Sequence, residues 1–109
     1  FKSTEGKILF IEEIGERLYH VDRMLLQLKR AGYFQNLAGL ILGGFTDCNE
    51  ASLTIGKSAY ELVAEHTSGT SFPIAFDFPA GHIPNNQPVL FGVKSKLLVN
   101  SQKVQLTVI

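Results

Sequence analysis

The chain has 109 residues, of which 45% are hydrophobic and 8 are phenylalanine, while 10 lysines plus arginines balance 10 aspartates plus glutamates. That length makes one domain with a modest core, and that composition belongs to a folded chain. Balanced charge with no basic tract excludes a nucleic-acid backbone footprint, and no apolar run approaches the ~18 residues that span a membrane.

Residues 8–11, Ile-Leu-Phe-Ile, form an unbroken apolar run that predicts a buried strand ending in Glu12 and Glu13. Residues 16–31 predict a helix. Leu18, Val21, Leu25 and Leu28 recur at helical spacing, Met24 and Ala31 widen that face, and Gly32 stands where a helix stops. Lys29 and Arg30 fall in its last turn, where the helix dipole favours cations.

A second strand is expected over residues 37–42, with Gly43-Gly44 turning the chain sharply behind it. Strand, helix and strand at these lengths predict a right-handed parallel crossover, whose carboxyl edge is where α/β sheets gather their ligand sites. A second helix is expected over residues 56–66 and a short strand over 72–76, with Pro73 at its start or on an edge. Residues 77–88 hold three of the four prolines and read as a rigid loop. In the tail, Val104, Leu106 and Val108 alternate with Gln105 and Thr107, and Asn100-Ser101-Gln102 fits a hairpin turn. The expected fold class is α/β: a βαβ start with parallel strands, then an antiparallel C-terminal hairpin or small sheet.

Two groups could carry chemistry. Neighbouring strand residues point to opposite faces, so only one of Glu12 and Glu13 can enter a given pocket. Either both are solvated charges closing a strand, or one orients a histidine as in a serine-hydrolase triad. His82 lies in Pro79-Ala80-Gly81-His82-Ile83-Pro84-Asn85. The prolines stiffen that loop and Gly81 relieves crowding, which suits either a preorganised general base or a locally bonded turn histidine. His20 and His66 fall in helices, and the dipole accounts for His66 near a helix end. Asp47 could cap the next segment. Cys48 reads as a small buried hydrophobe more than a nucleophile, and a single cysteine fits a reducing compartment.

The scattered histidines and cysteine have no zinc spacing, and residues 55–58 lack the leading glycine of a phosphate loop. Neither a metal nor a cofactor is expected. There is also no Gly-x-Ser-x-Gly elbow among the serines at positions 3, 52, 58, 68, 71, 95 and 101. A glutamate and a histidine suited to a relay therefore lack their nucleophile. The low charged fraction of 18% accords with surface buried against another body.

Three segments together resemble one family. They are Gly6-Lys7-Ile8-Leu9-Phe10-Ile11-Glu12-Glu13 with Gly15-Glu16 and residues 19–25, then Leu42-Gly43-Gly44-Phe45-Thr46-Asp47-Cys48, then Gly81-His82-Ile83-Pro84-Asn85. This pattern is similar to the C-terminal domain of the LD-carboxypeptidases, serine peptidases that include the microcin C self-immunity peptidases. The resemblance implies a swivelling β/β/α domain and a Ser-Glu-His triad split across two domains, with Glu12 and His82 on this one. It implies that residues 1–109 are the C-terminal half of a two-domain peptidase, inactive without the N-terminal domain that bears the serine. The expected substrate is a cytoplasmic muropeptide tetrapeptide of cell-wall recycling, losing its terminal D-alanine. Self-association into a homodimer is a further expectation, because the face meant for the other domain would be bare. A noncatalytic binding module of the same fold is the alternative. Leu18, His20 and Ala80 depart from the family's usual residues and put the choice of substrate in doubt more than the reaction class.

Overall fold

The computed structural model describes residues 3–46, 48 and 57–109. Asp47 and the first residue of the expected second helix lie outside the described residues. Chain order is β1 (Ile8–Ile14), α1 (Leu18–Arg30), β2 (Gly39–Thr46), α2 (Ala59–His66), β3 (Ile74–Ala75), β4 (Ser95–Val99) and β5 (Val104–Val108). Strands β1, β2 and β3 form a parallel sheet in that order, and β4 pairs with β5 antiparallel.

Alternation along the strands divides the molecule into layers. Leu9 and Ile11 of β1 and Leu40 and Leu42 of β2 face the helices, packing with Val21 and Leu25 of α1 and Leu62 and Val63 of α2. Leu40, Leu42 and Val63 are wholly buried, and each such side chain contributes about 1.5–3 kcal/mol by leaving water. On the opposite face Leu97 of the β4–β5 hairpin lies against Gly39, and Phe91 meets Phe10 edge-on at 5.7 Å. Hairpin, sheet and helices thus stack as β/β/α.

Local chemistry accounts for most boundaries. Ser58 caps α2 through a capping box: its hydroxyl accepts from the Glu61 N–H, and the Glu61 carboxylate accepts from the Ser58 N–H. Helix α1 has Arg17 at its N-cap with no side-chain cap, and it ends on Lys29 and Arg30 before Gly32 at φ +84°. Both helices are shorter than their sequence periodicity implies. The hairpin turn is closed by Asn100, whose Oδ1 accepts from the N–H groups of Gln102 and Lys103 at 2.9 Å each. Pro73 precedes β3 and offers its carbonyl to the Leu40 N–H at 3.0 Å, keeping its missing donor off the ladder.

Two expectations need correction. Strand β1 does not end at Glu12 and Glu13 but continues to Ile14. Gly43 and Gly44 are not a turn behind β2; the strand runs through them to Thr46. The physical reason is a bulge that keeps both strands paired.

Candidate active site

The β1–β2 register changes by one residue inside the sheet. Ile11 is opposite Leu42, yet Glu13 is opposite Phe45, so Gly43 and Gly44 together face Glu12. A two-for-one bulge bends its strand and re-aims neighbouring side chains.

Glycine is required there because another segment lies on the bulge. A Cβ on Gly43 would sit 2.4 Å from the Ala80 carbonyl oxygen and 2.9 Å from Phe10 Cζ, and one on Gly44 would sit 2.3 Å from Ile83 Cγ2. That segment is the histidine loop. The Gly44 N–H donates to the Ala80 carbonyl at 3.0 Å, and the Phe78 N–H donates to the Leu42 carbonyl at 2.9 Å. The Thr46 hydroxyl donates to the His82 carbonyl. Within the loop, the Gly81 N–H donates to Asn86 Oδ1 at 3.0 Å and the Ile83 N–H donates to the Gly81 carbonyl at 3.0 Å, a tight turn with His82 at its tip.

These contacts bring the His82 Nδ1 to 3.1 Å from Glu12 Oε2. Gly81, at φ +110°, permits the approach, since a Cβ there would lie 3.0 Å from that same oxygen. The Glu12 side chain is 27% exposed and that of His82 is 59% exposed. Because an ionised carboxylate only accepts, the Nδ1–H of His82 donates to it and Nε2 remains available. Glu13 is not part of this pair. Its carboxylate turns back to accept from the Ile14 N–H at 3.0 Å. Of the two carboxylates left open by the residue pattern alone, Glu12, the one the family resemblance implies, meets the histidine.

Residues 1–97 match the LD-carboxypeptidase C-terminal domain. The chain belongs to this family. It is 32% identical over 94 residues to the probable murein peptide carboxypeptidase of Bacillus subtilis, covering 86% of this chain and 30% of that protein. Its fold superposes on the muramoyltetrapeptide carboxypeptidase of Oxalobacter formigenes with a TM-score of 0.81 at 31% identity, over 95% of this chain and 36% of that one. The match to the microcin C7 self-immunity protein MccF in complex with aspartyl sulfamoyl adenosine has a TM-score of 0.60 at 26% identity, over 72% of this chain and 23% of that one. The chain spans 29–31% of the length of the first curated relatives it matches.

In this LD-carboxypeptidase C-terminal domain the other histidines have separate partners. His20 Nδ1 lies 3.1 Å from Glu16 Oε2, one helical turn away on the exposed face of α1. His66 Nε2 lies 2.6 Å from Asp22 Oδ1 and ties α2 to α1, a better account of this residue than the helix dipole. Cys48 is half-buried, and its thiol donates to the Thr46 carbonyl at 3.6 Å. Among the described residues no three His, Cys, Asp or Glu side chains converge as a metal site would need.

Tyr60 escaped the sequence reading. Its hydroxyl donates to the Gly43 carbonyl at 2.9 Å, with Asp77 Oδ1 at 3.4 Å. Burial pushes its phenol above the usual tyrosine range, and the neighbouring Asp77 carboxylate pushes it further. It lines a cavity of about 320 Å³ with Thr46, Cys48, Asp77 and Ile83. A tyrosine in an amphipathic helix carries no local signal of such a contact; only the bulge explains it.

Proposed function

We propose that Glu12 and His82 are two members of a Ser-Glu-His relay whose serine belongs to a preceding domain of the same protein. The whole enzyme is then a serine LD-carboxypeptidase. The observation that carries this reading is the 3.1 Å contact between Glu12 Oε2 and His82 Nδ1.

The chemistry follows from which nitrogen is engaged. With Nδ1–H held by Glu12, His82 Nε2 is the base that removes the serine proton as the oxygen attacks the carbonyl of an L-to-D peptide bond. Glu12 fixes the tautomer and stabilises the imidazolium that forms. Collapse of the tetrahedral intermediate breaks the C–N bond, and Nε2–H gives its proton to the departing D-alanine amine. Water then enters and attacks the acyl carbon as it loses a proton to Nε2; collapse breaks the C–O bond to serine, and Nε2–H returns its proton to the serine oxygen. Oxyanion donors would come from the domain that carries the nucleophile. The exposure of His82 accords with a face meant to receive that domain.

The substrate of this reading is a muropeptide tetrapeptide in the cytoplasm. The fuller match to a muramoyltetrapeptide carboxypeptidase than to MccF supports it over an aminoacyl-sulfamoyl nucleotide. Exposed Leu90 and Phe91 accord with a surface covered by the rest of the enzyme or by a second copy. The test is to join this chain to its serine-bearing domain and follow D-alanine release. The joined protein should turn over tetrapeptide, the 109-residue chain alone should not, and turnover by the chain alone that His82→Ala abolishes would refute the split site.

A further inference from the structure

We infer that Tyr60 is a positioning residue for the Glu12–His82 pair, joining the strand that aims the glutamate to the loop that carries the histidine. The inference rests on the proposed relay for its functional meaning, though the contacts stand without it. On the glutamate side, the Tyr60 hydroxyl donates at 2.9 Å to the carbonyl of Gly43, a bulge residue set against Glu12. A Cβ on Gly43 would lie 3.2 Å from Glu12 Cβ, so any movement of the bulge moves the carboxylate's anchor. On the histidine side, the same hydroxyl lies 3.4 Å from Asp77 Oδ1. Asp77 holds a left-handed backbone at φ +54°, a sparsely populated conformation that persists where its surroundings enforce it. It stands at the entry to the loop leading to His82.

The ring itself is fixed. Phe45 of β2 meets it edge-on at 5.8 Å and Phe76 meets it edge-on at 5.6 Å. The capping box at Ser58 fixes the helix start two residues before it. Burial and Asp77 keep the phenol protonated, so the hydroxyl remains a donor through the neutral range. One neutral donor on a rigid helix thus stands between both arms of the pair, its single proton directed to the Gly43 carbonyl at 2.9 Å with the Asp77 carboxylate as the longer second acceptor at 3.4 Å. Nothing else in the helix needs a hydroxyl there, and phenylalanine would fill the same apolar space.

Tyr60→Phe is the direct test because it removes only that oxygen. Ring 15N shifts of His82 in the 109-residue chain, recorded at alkaline pH where free imidazole is neutral, report the ratio of Nδ1–H to Nε2–H tautomers. We expect Tyr60→Phe to lower that ratio by about threefold or more, because the carboxylate no longer holds Nδ1–H. In the two-domain enzyme it should lower kcat about tenfold with KM within about twofold. Val63→Ala, a core variant of the same helix, should cost more in Tm while leaving the tautomer ratio unchanged. A native ratio in Tyr60→Phe, or the same loss in Val63→Ala, overturns the inference. If Glu12→Gln leaves the two-domain enzyme active, the relay fails; the tautomer ratio still decides whether Tyr60 positions the pair.

Discussion

Glu12 and His82 stand 70 residues apart in the chain and meet at 3.1 Å because Gly43 and Gly44 together occupy the place of one residue opposite Glu12. The bulge does two things at once. It re-aims the glutamate within a paired strand, and it clears room for the backbone of the histidine loop to lie directly on the sheet.

Gly43→Ala therefore should fail on backbone grounds. Its Cβ would meet the Ala80 carbonyl at 2.4 Å and could not be relieved by a side-chain rotation. The expected loss is about 1–3 kcal/mol of stability from overpacking, read as a lower urea midpoint with an unchanged slope.

Gly81→Ala acts on the pair more than on the fold. It combines a left-handed backbone at φ +110° with a Cβ 3.0 Å from Glu12 Oε2. The loop should lose about 1–3 kcal/mol and the His82–Glu12 contact should open. A crystal structure of the variant with the two side chains still in hydrogen-bond contact would count against this.

Ser58→Ala removes one half of the capping box on α2. Stability should fall by about 1 kcal/mol, with a matching drop in Tm. The Glu12–His82 geometry should survive, because Phe45, Phe76 and the Gly43 carbonyl still hold Tyr60 when the helix start frays.

Tyr60 predicts the alkaline limit of stability. Its phenol is held above the ordinary value of 10.0 in the folded chain. Between the unfolded and folded pKa the unfolded chain has lost a proton that the folded chain keeps, so stability falls as pH rises through that window and is fully present below it. Tyr60→Phe should flatten the decline in urea midpoint above about pH 10. It should also remove one phenolate component from the ultraviolet titration.

Much of the architecture was legible because apolar periodicity reports burial. The helical stripe of Leu18, Val21 and Leu25 is buried as its spacing implies, whereas the alternation of Val104, Leu106 and Val108 located a strand on which Val104 and Val108 are exposed. Boundaries were harder. Gly43-Gly44 resembles a turn to any local rule, and only pairing with β1 reveals a bulge. The residue pattern alone left Glu12 and Glu13 open, the family resemblance pointed to Glu12 and His82, and the three-dimensional geometry places Glu12 rather than Glu13 against His82. The Ser58 cap was readable from Ser58 and Glu61 and was missed under the expectation of a longer helix. Tyr60 was not readable, since its partner is a backbone carbonyl 17 residues away.

The central claim is that Glu12 holds His82 as the base of a relay completed by another domain. Its most direct measurement is kcat for D-alanine release by the two-domain enzyme carrying Glu12→Gln, a change that keeps the shape and removes the charge. The account predicts a fall of about 10³–10⁴-fold with little change in KM. Turnover within about tenfold of the native enzyme would contradict it.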